Sequence, residues 1–225
     1  MSNLIVVLGE SGTGKSTSMR HLNPESTVIF NVLQKPLPMR GYRRLFSEER
    51  KNYLESDDYN FIIKCLHAIN ERRPEIKIVV IDDFSFLMNN EFMRRARETG
   101  YGKFTEMGLN MFEIMSICTS LRPDLHIYLM CHTEKDHTGI IKPKTVGKMT
   151  GDYVGIAERV AIVLHSQVID RQYKFLTQND GVYMAKSPME MFTDLYIDND
   201  LSTIDEEIRK YFNDDMKGIE EEEQE

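Results

Sequence analysis

The chain has 225 residues, of which 36 are acidic and 28 basic, giving a formal net charge of −8. Hydrophobic residues make up 41% of it, and no apolar stretch is long enough for a membrane-spanning helix. Length and composition therefore predict one soluble α/β domain with a sizeable core and no membrane partner. An apolar segment at residues 4–8 begins almost at once, which excludes a secretory leader and predicts a cytoplasmic protein. We expect the domain to span 1–212, followed by an acidic disordered tail over 213–225, where glutamates crowd the last six positions.

The apolar segment at 4–8 runs into a complete phosphate-binding loop. Residues 9–16 read Gly-Glu-Ser-Gly-Thr-Gly-Lys-Ser, which matches the pattern G-x-x-x-x-G-K-[ST] between a strand and a helix. Glycines let backbone N–H groups approach phosphate oxygens, Lys15 is expected to reach the β- and γ-phosphates, and the Ser16 hydroxyl to ligate Mg²⁺. The predicted nucleotide-binding residues are Gly9, Glu10, Ser11, Gly12, Thr13, Gly14, Lys15, Ser16 and Thr17.

Strands and helices are predicted to alternate along most of the chain. Short runs rich in Val, Ile, Leu and Tyr predict strands at 4–8, 27–31, 76–82, 125–131 and 159–165. Helices are expected from Lys15, over 58–71 and over 104–121, where apolar residues recur at helical spacing. This alternation predicts a mainly parallel sheet flanked by helices. Beyond it, 172–178 and 181–185 predict a β-hairpin around Asn179-Asp180-Gly181, and a short helix is expected near 204–212.

Polar residues lie at the carboxyl ends of two of these predicted strands. The strand at 78–82 ends in Asp82 and Asp83, and behind a phosphate loop this pattern predicts that Asp82 holds Mg²⁺ opposite Ser16. Asp83 is either a general base for the attacking water or a cap for backbone N–H groups. His132 follows the strand at 125–131 and is either a sensor of the γ-phosphate or a structural histidine. The predicted catalytic residues are Lys15, Asp83 and His132.

Basic side chains follow the second, third and fourth strands, and the carboxyl ends of parallel strands share one edge of a sheet. Positive charge in three loops at one edge predicts a polyanionic ligand, and single-stranded DNA fits best. The predicted DNA-binding residues are Arg94, Arg95, Arg97, Lys103, Lys142, Lys144 and Lys148.

The order of these elements resembles the RecA-type ATPase core. The phrases at 9–17, 35–38 and 175–179 are similar to those of small phage-encoded ATPases of the single-strand annealing and recombination type. The resemblance implies a RecA-like P-loop ATPase with ATP and Mg²⁺ as ligands, and DNA-binding loops at about 89–103 and 133–151. It also implies single-stranded DNA, a single-strand-binding or annealing protein, and a second copy of the chain as candidate partners.

The chain departs from that pattern at the end of the second strand. RecA-type recombinases carry a catalytic glutamate there, whereas residues 30–34 read Phe-Asn-Val-Leu-Gln. The base is then Asp83, Glu10 or absent, and slow ATP hydrolysis is expected.

The residues are also compatible with two other functions. One is a small-molecule kinase in which Arg40, Arg43 and Arg44 clamp the phosphate of an acceptor. The other is a nucleotide-gated adaptor with little turnover, recruiting a partner through its acidic tail.

Overall fold

The computed structural model describes residues 3–146 and 154–222, with side chains as far as 213. Its strands are β1 (Asn3–Leu8), β2 (Thr27–Asn31), β3 (Tyr53–Glu55), β4 (Ile78–Asp82), β5 (His126–Cys131), β6 (Thr133–Lys135), β7 (Ile141–Pro143), β8 (Ile162–Ile169), β9 (Gln172–Leu176) and β10 (Tyr196–Asp198). Its α-helices are α1 (Tyr42–Leu45), α2 (Tyr59–Arg72), α3 (Phe86–Arg94), α4 (Gly102–Ser120) and α5 (Leu201–Glu222), and a 3₁₀ helix spans Ser16–His21. Within these ranges, none of the helices is both long and apolar enough to cross a bilayer.

Eight of the described strands form one sheet in the order β10-β9-β8-β1-β5-β4-β2-β3. Every pairing from β8 to β3 is parallel, whereas β9 and β10 are antiparallel additions. The prediction of an α/β chain with a mainly parallel sheet flanked by helices is confirmed. Strand β5 lies between β1 and β4, so the residues that follow β5 emerge between the loop after β1 and the aspartates that end β4.

Alternate residues of the buried strands face two separate cores, because successive side chains of a strand point to opposite faces. On one face Leu4, Val6 and Leu8 pack with the apolar sides of α2, α3 and α4. On the other face Ile5 and Val7 pack with the 3₁₀ helix and with α5. The apolar strands predicted from the sequence are therefore covered on both faces.

The predicted hairpin is in the wrong place. Strand β9 pairs antiparallel with β8, and the two strands are joined at Asp170 and Arg171, which both have positive φ angles. Two such residues make the turn that suits a two-residue hairpin, but Asp-Arg lacks the glycine that usually signals it. Gly181 does lie in a turn, yet the segment after it pairs with Ile141 and Val163 instead of with β9.

Several predicted boundaries also move. The helix expected from Lys15 is a 3₁₀ helix of six residues, and the strand expected at 159–165 is β8 at Ile162–Ile169. Helix α5 begins at Leu201 and continues to Glu222, into the segment predicted as an acidic tail. Strand β3, helix α3 and the β6–β7 ribbon were not predicted, since each is short or carries many polar residues.

Candidate functional site

The phosphate-loop sequence follows β1 at the carboxyl edge of the sheet. Gly14 has a φ of 99°, and a Cβ atom on it would lie 2.7 Å from the ring of Tyr173 on β9. The loop is also tied to β8, because the hydroxyl of Ser166 donates a hydrogen bond of 2.5 Å to the carbonyl of Thr13. A glycine is therefore required at position 14 both by the backbone angle and by the neighbouring strand.

Lys15 is folded back into the loop. Its ammonium donates hydrogen bonds of 2.6 Å to the carbonyl of Gly9 and 2.8 Å to that of Glu10, and only 6% of the residue is exposed. Burial lowers the pKa of Lys15 from 10.5 to about 8, against the opposing charges of Asp83 and Asp82. Two carbonyls thus hold this cation at the floor of the loop, and none of the described carboxylates is in hydrogen-bond contact with it, which suits an incoming anion.

Ser16 and Asp82 meet as the motif predicts. The Ser16 hydroxyl lies 2.9 Å from Oδ1 and 3.0 Å from Oδ2 of Asp82, which ends β4 and is fully buried. Burial, followed by the charge of Asp83, raises the pKa of Asp82 to about 6. A divalent cation near this carboxylate would favour its ionised form, because opposite charge lowers a carboxyl pKa.

Asp83 has an unusual backbone. Its φ is 60°, a left-handed value that costs a residue with a Cβ atom energy and is often found at functional sites. Its carboxylate accepts a hydrogen bond of 2.9 Å from Nε2 of His132, and its other oxygen forms an ion pair with the ammonium of Lys35. Burial alone would raise the pKa of Asp83, but the bonds from His132 and Lys35 outweigh it and lower that pKa.

These groups surround one cavity of about 240 Å³, which we call the phosphate-loop cavity. Its walls include the loop at Gly14–Thr17 together with Lys35, Asp83, His132 and Tyr173. Lys35 and Tyr173 were not assigned to the site from the sequence. Lys35 could have been assigned to the site from the sequence, because it follows a predicted strand. Tyr173 could not, because it reaches the cavity through the β8–β9 hairpin, which the sequence predicted at a different place.

His132 connects this cavity to the β6–β7 ribbon. Its backbone N–H donates to the hydroxyl of Ser85 at 2.9 Å, and its ring meets the ring of Phe86 edge-on at 5.2 Å. Its carbonyl accepts a hydrogen bond of 2.8 Å from the N–H of Lys144, and β6 begins at the next residue, Thr133. A displacement of His132 would therefore be transmitted to the segment that carries Lys142 and Lys144.

The predicted DNA-binding residues differ in whether their charged groups already have partners within the chain. Arg95 forms ion pairs with Glu91, Glu98 and Glu106, and Arg94 forms one with Asp57. Lys103 is buried, and its ammonium donates to the backbone carbonyls of residues 95 and 98. These three cations therefore already have carboxylate or backbone carbonyl partners within the chain.

Within the described part of the chain, the remaining members of that set form no ion pair. Arg97 and Lys144 are exposed and Lys142 is half-buried, whereas Lys148 lies outside the described residues. Of the alternatives for a base, Glu10 is an exposed residue at the rim of the loop, whereas Asp83 is 1% exposed and lines the cavity. Of these two carboxylates, Asp83 is therefore the one that lies at the cavity.

The residues available for a metal are few but chemically suitable. Among the described residues, no group of three or more His, Cys, Asp and Glu side chains is arranged to hold a metal ion. Mg²⁺ at such sites takes one or two protein oxygens and completes its shell with phosphate and water oxygens, which Ser16 and Asp82 fit. Asn31, the register partner of Asp82 on β2, also has a buried Oδ1 without a hydrogen-bond partner in the described part of the chain.

Comparison with known proteins adds no family to this geometry. No protein-family model and no curated protein matches the chain.

Proposed function

We propose that this protein is a Mg²⁺-dependent ATPase that binds single-stranded DNA in phage recombination or replication. The observation that carries the proposal is the convergence of Lys15, Ser16 and the Asp83–His132 pair on one 240 Å³ cavity. Behind its wall, the Ser16 hydroxyl is bonded to the buried carboxylate of Asp82. The phosphate-loop sequence supports a nucleoside triphosphate as the ligand, and the resemblance to recombination ATPases supports DNA as the partner.

The side chains divide the chemistry among them. Lys15 would exchange the carbonyls of Gly9 and Glu10 for phosphate oxygens, because an anion is a stronger acceptor than a neutral carbonyl. Ser16 and Asp82 would hold Mg²⁺, which supplies charge stabilisation to the phosphates.

Asp83 would orient a water molecule for attack and accept its proton. In the structure the carboxylate is shared between Lys35 and His132, so its basicity is low. Movement of Lys35 toward a γ-phosphate would remove one of these partners and raise the pKa of Asp83. Slow turnover is expected, since this exchange must precede proton transfer.

DNA binding is assigned to the basic residues Arg97, Lys142 and Lys144, which form no ion pair with the described residues. Because the Lys144 N–H bonds to the His132 carbonyl, occupation of the phosphate-loop cavity would bias the position of the β6–β7 ribbon. Single-stranded DNA would in turn bias His132 and Asp83 toward their catalytic positions, since coupling between two sites is reciprocal.

Steady-state ATP hydrolysis with Mg²⁺, with and without single-stranded DNA, tests the proposal. We expect stimulation by single strands, loss of turnover in Lys15→Ala, and a Mg²⁺ requirement at least tenfold higher in Asp82→Asn. The double variant Lys142→Ala/Lys144→Ala should lose DNA stimulation and part of the salt dependence of DNA binding, while ATP affinity is unchanged.

Lys64→Ala is the matched control, because Lys64 is an exposed lysine on α2 and lies outside these segments. An equal loss of DNA binding in that control would show that general charge, not the ribbon, attracts the strand. Absence of both ATP binding and DNA stimulation would contradict the proposed function.

A further inference from the structure

A larger cavity lies beside the phosphate-loop cavity at the carboxyl ends of β2 and β3. It has a volume of about 630 Å³, which is within the usual range for small-molecule sites, and we call it the outer cavity. Its walls carry four aromatic rings and one guanidinium, contributed by Tyr42, Phe46, Tyr53, Phe61 and Arg43. Phe61 is 42% exposed although it is a large apolar side chain, so part of this wall is open to a ligand.

A third cavity shares wall residues with both the outer cavity and the phosphate-loop cavity. This middle cavity, of about 240 Å³, shares Tyr42 and Phe46 with the outer cavity and shares Thr17 and Pro38 with the phosphate-loop cavity. Arg40 also lines it. Asn31 adds a direct link, because its amide donates both to the Tyr53 hydroxyl at 2.5 Å and to the Lys35 carbonyl at 2.7 Å.

Charge is distributed unevenly among the three cavities. The outer cavity carries the carboxylates of Glu48, Glu49 and Glu55, the middle cavity carries arginines, and the phosphate-loop cavity carries Lys15 and Lys35 beside Asp83. The guanidinium of Arg43, in the outer cavity, lies 5.8 Å from the centre of the ring of Tyr42, which lines both the outer and the middle cavity. A matching ligand has a planar end with hydrogen-bond donors and an anionic end directed toward the phosphate loop.

We propose that the outer and middle cavities bind a nucleoside monophosphate unit, with its base among the aromatic rings and its phosphate near Arg40 and Arg43. Tyrosine and phenylalanine rings stack on nucleobases, and carboxylates accept hydrogen bonds from exocyclic amino groups such as N4 of cytosine. Arginine suits the phosphate because its planar fork matches phosphate oxygens. The unit is either a free mononucleotide or one residue of a single strand, and both present this chemistry.

The orientation rests on the proposed function, because the phosphate end is expected to face a triphosphate held by Lys15. A cytosine base is preferred over thymine, since the carbonyls of thymine flank its single ring N–H and face the carboxylates unfavourably. We therefore expect dCMP to bind at least fivefold more tightly than dTMP.

Isothermal titration calorimetry on the full chain tests the site. The protein is first titrated with a non-hydrolysable ATP analogue and Mg²⁺, and the saturated complex is then titrated with dCMP. We expect saturable binding of one equivalent, weakened at least tenfold in Arg43→Ala and at least fivefold in Phe61→Ala. Arg72→Ala is the matched control, because Arg72 is an exposed arginine at the end of α2 that is not among the described lining residues of either cavity. It should change the affinity less than twofold.

A second arm replaces dCMP with the oligonucleotide (dC)12. Tighter binding of the oligonucleotide, with the same selective loss in Arg43→Ala, would support the site and identify a strand as the source of the nucleotide. Stronger binding of dCMP would support it and identify a free acceptor. Absence of saturable binding in both arms, or equal losses in Arg43→Ala and Arg72→Ala, would overturn the proposal.

The proposed function can fail independently of this site. Failure of the first titration would contradict triphosphate binding, and dCMP would then be titrated into the Lys15→Ala variant. Binding there with the Arg43 dependence intact would support the outer site on its own, and its absence would overturn it.

Discussion

Replacing Lys15 by methionine should stabilise the nucleotide-free protein while abolishing its response to ATP. The pKa of Lys15 falls from 10.5 to about 8, which corresponds to about 3 kcal/mol opposing folding at pH 7, because the folded chain must keep a buried ammonium charged. Methionine has a similar shape but loses the bonds to the carbonyls of Gly9 and Glu10, which costs about 1–2 kcal/mol. The net gain of about 1–2 kcal/mol predicts a rise in Tm of about 2–8 °C for a chain of this length.

The pH dependence gives the same prediction a second readout. Between pH 8 and 10.5 the unfolded chain keeps a proton on Lys15 that the folded chain has lost, so wild-type stability rises with pH in that window. The advantage of Lys15→Met over wild type should therefore shrink from pH 7 toward pH 10.

Thermal unfolding with and without ATP and Mg²⁺ measures both effects. Wild type should gain about 2.7 kcal/mol at a ligand concentration of one hundred times Kd, and the variant nothing. Lys64→Met, on the exposed side of α2, controls for the loss of a surface charge. A lower Tm in Lys15→Met than in wild type, or a Tm difference that does not change with pH, would refute the inference that the buried Lys15 ammonium opposes folding.

Three further predictions concern the surroundings of the site. Gly14→Ala places a Cβ atom 2.7 Å from the Tyr173 ring at a φ of 99°, and should lower Tm and weaken ATP binding. Tyr173→Ala in the same chain should restore part of both, because it removes the clash but not the backbone strain; no recovery at all would contradict the clash. Burial lowers the pKa of His165 to about 4, so between pH 6.5 and 4 the unfolded chain binds a proton on this side chain that the folded chain does not. The free energy of unfolding should therefore fall by about 1.4 kcal/mol for each pH unit in that window. His165→Gln should flatten this acid limb in denaturant titrations, and an unchanged slope would exclude His165 as its source. Lys35→Ala should raise the pKa of Asp83 without any exchange of partners, so ATP turnover should rise while ATP affinity falls through the lost contact to the γ-phosphate. Slower turnover at an unchanged KM would contradict this role of Lys35.

The sequence determined the phosphate loop, the buried strands and the Ser16–Asp82 pair. Each of these depends on local information: a fixed spacing of glycines before Lys15, or an apolar run that ends in a carboxylate. Parallel strands then carry their ends to one edge of the sheet, so the meeting of residue 16 with residue 82 followed from the alternation of elements.

Only the tertiary structure decided which charges are already paired. The run containing Arg94, Arg95 and Lys103 looked like a DNA-binding segment, but nearby carboxylates and backbone carbonyls satisfy Arg95 and Lys103. Arg94 pairs with Asp57, which is 37 residues away, and no local pattern encodes that partner. The same holds for Tyr173, which reaches the phosphate loop because Asp170 and Arg171 accept positive φ angles and fold β9 back onto β8. Local spacing specifies a motif, whereas the free energy of a charge or a ring depends on neighbours that only the folded chain assembles.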